Sequence, residues 1–341
     1  MAKITKNGIL AGLLIAGSVV AGVAAIVFFD ITGEKGSGLD KEFVYDISSQ
    51  MKVDPNLIFY AESSASIVTG FKVSHGIAVD SNGTIFVAGD RAVRLFEGSG
   101  NLLGEIELDG SPRCLSVSED GKIYIGIEDH VEVYDSNKKL LASWAKLNSD
   151  AVLTSIAVLG NNIFVADAGN RIVLHYDSYG KLLGLIGDKN EEKDILGFVI
   201  PSPYFDLAIA RDGLLRVVNP GRHRIEAYTF DGDLEFWWGS YSSNIEGFCG
   251  CCNPVNFAIL DDGSFVTVEK GLVRVKIYDA DGNFACVVAG PEQLVEGCGA
   301  KICQMPADCQ AGGFDLAVDN NQQVLVLDTI KNVIRIFAKK R

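Results

Sequence analysis

Two sets of side chains in this sequence could do chemistry at short range. Six of the eight cysteines fall in two stretches: Cys249, Cys251 and Cys252 in SYSSNIEGFCGCCNP, and Cys298, Cys303 and Cys309 in PEQLVEGCGAKICQMPADCQAGG. Three chemistries are open to them. In an oxidising compartment, clustered cysteines in even number form disulfides. Cys251 and Cys252 are poor partners for each other, because adjacent Cα atoms sit ~3.8 Å apart and disulfides prefer a wider span. As thiolates the six could instead hold a soft metal or an iron–sulfur cluster, although the spacing CxCC, Cx4C, Cx5C follows neither a zinc knuckle nor a ferredoxin run. The third possibility is a reactive dithiol pair. Cys114 and Cys286 lie inside apolar stretches and read as small buried hydrophobes.

The second set is oxygen-bearing. Asp206, Asn256 and Asp315 each stand immediately before an apolar stretch of similar wording, as does Ser155, and His75 lies one residue before the equivalent Gly76. If one element brings these positions together, the oxygens suit calcium or magnesium. The same groups could equally cap strand ends or hold water. Histidines are few (His75, His130, His175 and His223), and no GxSxG elbow, HExxH helix or phosphate-binding glycine loop is present. Tyr204, Phe205, Arg222, His223, Arg224 and Phe248 gather around one part of the chain and suit a partner-binding face, since aromatics and arginine dominate interface hot spots. In Phe236-Trp237-Trp238, strand alternation sends at least one ring inward.

The element that must position these residues is a repeat. The stretches HGIAVD, CLSVS, SIAVL, DLAIA, NFAIL and DLAVD open six copies, and their first apolar residues (Ile77, Leu115, Ile156, Leu207, Phe257 and Leu316) are 38, 41, 51, 50 and 59 residues apart. Such repeats, built from four short strands each, predict an all-β propeller. The acid closing the second strand (Asp90, Asp129, Asp167, Glu269, Asp328, with Asn219 in the fourth copy) recurs and so reads as structural. The third copy, SIAVLGNNIFVADAGNRIVLHYDSYGKLLGLIG, resembles the NHL repeat, and the fifth copy follows the same plan. The resemblance covers nearly all of residues 74–341 and implies a six-bladed propeller; it implies little about activity, because its members bind proteins or RNA or act as lyases.

The sixth copy supplies three strands and then the chain stops, while Leu57-Ile58-Phe59-Tyr60 is a strand without a neighbour in sequence. Pairing the two predicts a closed ring in which the N-terminal strand completes the last blade. Long insertions precede the fourth, fifth and sixth copies and should crowd one face, a common place for binding.

Residues 8–29 form 22 uncharged residues preceded by Lys3 and Lys6 and followed by Asp30 and Glu34. The length predicts one transmembrane helix, with residues 1–7 in the cytoplasm, a polar tether at 30–53 and the propeller, 54–341, periplasmic or extracellular. A signal peptide cut near Gly22-Val23-Ala24 is the alternative. Beyond Lys6, 28 Lys and Arg face 44 Asp and Glu, a net of −16, which disfavours nucleic acid as a partner. The expectation is a membrane-anchored, extracytoplasmic scaffold for a protein or small ligand. Its rivals are a metal-dependent hydrolase or lyase using a channel-mouth calcium, and a cysteine-based redox or metal-binding protein.

Overall fold

The computed structural model describes residues 52–63, 65–189, 196–295 and 312–340. The apolar run 8–29, most of the tether, and Cys298, Cys303 and Cys309 lie outside the described residues.

Six antiparallel sheets follow one another along the chain. Blade one is built from Ser74–Val79, Ile85–Gly89, Ala92–Phe96 and Leu102–Glu107, and blade two from Pro112–Val117, Ile123–Ile127, His130–Tyr134 and Leu140–Ser143. Blade three uses Leu153–Leu159, Asn162–Asp167, Ile172–Tyr176 and Leu182–Ile186. Blade four uses Leu207–Ile209, Leu215–Asn219, Arg224–Tyr228 and Leu234–Trp238, and blade five Asn256–Ile259, Phe265–Glu269, Arg274–Tyr278 and Phe284–Ala289. Blade six contributes Asp315–Val318, Val324–Asp328 and Val333–Lys339. The first strands of successive blades contact one another, including blade six with blade one, and so surround the axis.

The burial pattern explains why these short strands form. Five of the six second strands are buried along their whole length, as in IFVAG, IYIGI and VLVLD, and the one in blade three everywhere but Asn162, because each is sandwiched between two neighbouring blades. The fourth strands of blades one to four face solvent through Leu102, Leu140, Leu182 and Leu234, whereas Phe284–Ala289 of blade five is buried over most of its length. The core is divided among the blade interfaces. Phe86, Ile125 and Ile127 fill that between blades one and two, Phe164, Leu207 and Val217 that between three and four, and Phe71, Val87 and Leu327 that between six and one. Truncating a filled aromatic such as Phe164 costs ~3–5 kcal/mol. Of the paired tryptophans, Trp238 packs on Phe265 and Tyr278 with centroids 5.0 and 4.9 Å away, while Trp237 is exposed.

The N-terminal segment differs in detail from the expected strand Leu57–Tyr60. Residues Pro55–Leu57 form a 3-10 turn, because Asp54 accepts the Asn56 amide at 2.9 Å and proline presets the first turn position. The strand itself is Tyr60–Glu62, antiparallel to the last strand with Tyr60 opposite Lys339 and Glu62 opposite Phe337. Arg335 reaches both oxygens of Glu62, at 3.0 and 2.7 Å, and Ile67–Val68 pairs further along the same edge.

In blades one, three, four and five the recurrent residue at the end of the second strand holds the loop that enters the blade. Asp90 accepts the amides of Lys72 and Val73, Asp167 that of Val152, Asn219 that of Val199, and Glu269 that of Cys249. Each thereby fixes the turn that aims a first strand at the axis.

Candidate functional site at the channel mouth

The ring of residues before each first-strand apolar position works as a chain of links between blades. Ser155 Oγ meets the Leu207 main chain at 3.3 Å. Asp206 Oδ2 accepts the Phe257 amide at 2.8 Å, Asn256 Nδ2 donates to the Phe314 carbonyl at 2.7 Å, and Asp315 Oδ2 accepts the Ile77 amide at 2.8 Å. Each bond runs from one blade to the next. Gly76 occupies the same position in blade one, where a Cβ would lie 3.0 Å from the Arg113 carbonyl oxygen.

The second oxygens of both acids are also engaged: Asp206 Oδ1 accepts the Leu207 amide at 2.8 Å and Asp315 Oδ1 the Leu316 amide at 2.9 Å. Burial pushes Asp206 up to about 6. Burial and the neighbouring Asp206 push Asp315 up to about 7. A cation would have to compete with four main-chain amides here, and Asp206 and Ser155 do not reach the open mouth. The donor set does not fit calcium well. Among the described residues, no three His, Cys, Asp or Glu side chains are grouped to share a metal ion.

Directly outside the ring lies a cavity of 290 Å³, walled by five blades and by the loop that enters the fourth, with His75, Arg113, Thr154, Tyr204, Asn256 and Asp315 among its residues. The position just before the ring is polar in blades one to three (His75, Arg113, Thr154) and apolar in blades four to six (Phe205, Val255, Phe314). The apolar three are fully buried. The insertions account for this asymmetry: Phe198 and Ile200 of the first insertion pack with Phe205, and Leu294 of the third packs with Val255 and Phe314. The mouth thus has an open polar half and a roofed half. Burial and then the Arg113 charge hold His75 below the ordinary imidazole value, so it is neutral near pH 7. Tyr204 leans over the mouth with its hydroxyl against the backbone of Gly313, where a side chain would collide.

The blade-five insertion forms the rim and is held from beneath by buried charge. Lys276 Nζ donates to the carbonyls of Ile245 and Gly247 at 3.0 and 2.6 Å and meets Glu269 Oε2 at 3.0 Å. Arg274 pairs with the same carboxylate at 2.7 Å. Burial lowers Lys276 to about 8, while Lys276 and Arg274 together keep Glu269 below its ordinary value despite its burial. Three acceptors around the ammonium favour its charged form at neutral pH. Asn253 Nδ2 donates to the Cys249 and Lys270 carbonyls, and Asn253 Oδ1 accepts the Lys270 amide at 2.9 Å.

On this rim the thiols of Cys249, Cys251 and Cys252 are free. The Cys251 and Cys252 sulfurs lie 3.2 Å apart. Ser202 Oγ donates to the Cys252 sulfur at 3.5 Å, Lys270 Nζ donates to Ser202 Oγ at 2.8 Å, and the ammonium sits 5.0 Å from the centroid of the Tyr204 ring.

The expected partner-binding set divides. Tyr204 is half-buried at the mouth and Arg222 is partly exposed. Phe205 and Phe248 are fully buried and cannot meet a partner, because the insertions that were expected to display them instead fold down over them. His223 takes a left-handed turn conformation (φ 56°), and its ring packs edge-on to Tyr241 at 5.2 Å. Arg224 bonds Glu226 at 2.7 Å and stacks 4.6 Å above Trp237. Arg113, Thr154, Lys270 and Ser202 were not singled out in the sequence. For the first two a signal existed one residue upstream of the ring, where polar and apolar residues alternate between halves of the chain.

Fold and site define a six-bladed β-propeller with a polar cavity at one end of its channel. Among solved structures the chain is similar to a streptogramin B lyase (TM-score 0.57, 12% identity, 81% of this chain and 97% of that one). It is similar to a structural-genomics protein of unknown function from Bacteroides thetaiotaomicron (TM-score 0.58, 15% identity, 82% and 73%). It is also similar to virginiamycin B lyase from Staphylococcus aureus (TM-score 0.51, 13% identity, 81% and 88%). At these identities the likeness is one of fold. No family model matches the chain, and no curated protein sequence does.

Proposed function

We propose that this protein is a binding propeller of NHL type, its ring closed by the strand Tyr60–Glu62, anchored by residues 8–29 in a membrane and working on the extracytoplasmic side. Its ligand is a small molecule, or a partner's protruding segment, seated in the channel mouth. One observation carries this reading: the 290 Å³ cavity is lined by five blades and the loop entering the fourth, with the polar set His75, Arg113 and Thr154 on its open half. Support for rigidity comes from the charge-anchored rim, since a preorganised surface loses less entropy on binding. A lyase or hydrolase built on a channel-mouth cation is less well supported, because the acids it would need already accept main-chain amides.

The test is a thermal-shift screen of small polar metabolites and peptides, with hits titrated against wild type, Arg113→Ala and Asn256→Leu. A true mouth ligand raises Tm of the wild type and binds at least ~10-fold more weakly to the Arg113 variant. Ligands that bind all three proteins equally would reject the site.

A further inference from the structure

The rim carries a pair of sulfurs whose geometry differs from that of any other cysteine described. Cys252 is buried and Cys251 exposed, yet their sulfurs approach to 3.2 Å from adjacent residues. That distance is far beyond the ~2.05 Å of a disulfide. The pair is held on a loop fixed by three Asn253 hydrogen bonds. Two sulfurs this close cannot embrace an ion linearly; they match a single acceptor that takes both at a bent angle. Soft acceptors prefer thiolates. An ammonium stands close to the pair, since Lys270 Nζ donates to Ser202 Oγ, which in turn donates to the Cys252 sulfur. A positive neighbour opposes a divalent cation and leaves a neutral thiophile unopposed.

We propose that Cys251 and Cys252 form a two-sulfur capture site for a neutral trivalent metalloid hydroxide, of which arsenous acid is the simplest. Two sulfur–metalloid bonds form and two metalloid–oxygen bonds break. Cys252 attacks as the thiolate, its proton given to solvent; the two departing oxygens leave as water, one taking the Cys251 thiol proton and the other taking a proton back from solvent, and the metalloid stays trivalent. The protonation pattern suits this step. Burial raises Cys252, but hydrogen bonds from Ser202, Cys251 and Lys270 outweigh it and hold the thiol below its ordinary value. Cys251, whose hydrogen bond to Cys252 and burial both raise it, keeps the proton that the first leaving oxygen needs.

The experiment uses the full chain, purified without reductant in detergent, titrated with arsenous acid and read by intact mass and by peptide mapping of alkylated thiols. One arsenic per chain is expected, with Cys251 and Cys252 together protected from alkylation. Either single variant, Cys251→Ser or Cys252→Ser, should weaken capture about a hundredfold, as loss of one arm of a chelate does. Lys270→Gln, checked for an intact fold by circular dichroism, should shift preference from arsenous acid towards cadmium. Arsenic retained equally by the chain lacking both thiols overturns the proposal. So does capture that needs Cys298, Cys303 or Cys309, or the finding that Cys251 or Cys252 is already disulfide-bonded in unreduced protein.

Discussion

Asp206 and Asp315 sit where six strands converge, and each accepts two main-chain amides. Hydrogen bonds to the charged form lower an acid's pKa, yet burial wins at both, with mutual repulsion adding at Asp315. The native state therefore holds protons that the unfolded chain, with its ordinary value of 3.8, has already released. By linkage the cost of these acids is absent below about pH 4 and grows as pH rises towards 7. Asp315→Asn should lose a hydrogen bond at every pH but escape that cost. Its stability relative to wild type, measured by denaturant melts, should improve by about 1–3 kcal/mol between pH 4 and 8. A flat difference across that range would mean Asp315 is ionised throughout. The convergence of Asp206, Asn256 and Asp315 was legible in the sequence, because repeats place equivalent residues around one axis. Their use as links rather than ligands was not, since it depends on which neighbouring amide each carboxylate meets.

At the scale of elements, the six first strands were readable from their shared wording, and the long insertions from unequal spacing. What the sequence hid was the direction in which the insertions fold. Phe205 and Phe248 looked like display residues, and only packing against Phe198, Ile200, Trp238 and Phe265 reveals them as core. Alternation gave the weaker but correct signal at Trp237 and Trp238, one exposed and one buried. The strand Tyr60–Glu62 covers the edge of Val333–Lys339, with Arg335 gripping Glu62. Deleting residues 1–65 should uncover that edge, lower Tm by several degrees and promote aggregation, whereas deleting 1–51 should leave Tm unchanged. Equal melting of both truncations would show that the strand contributes nothing to closure. The expected strand was placed two or three residues early because Leu57-Ile58-Phe59 is apolar, while Asp54 and Pro55 in fact start a tight turn there.

At the scale of the molecule, the proposed anchoring makes a directional statement. A membrane-impermeant amine reagent added to intact cells should label the propeller's exposed lysines, such as Lys122 and Lys146, and spare Lys3 and Lys6. Labelling of the propeller only after lysis would sink the extracytoplasmic assignment. Among the described residues no helix is long and apolar enough to cross a membrane, and residues 8–29 lie outside them. The acidic balance of the chain, a formal net charge of −14, opposes the approach of polyanions.

The handed links of the ring carry a consequence for how such a chain can change. Each linking side chain of blades three to six bonds the main chain of the succeeding blade, so the grip passes round the axis in one sense. Because every partner is a main-chain amide or carbonyl, any succeeding blade presents the same group there, and all a sector must itself supply is the one short side chain that reaches forward. Drift in the outer strands can therefore proceed without disturbing the four forward grips around the axis.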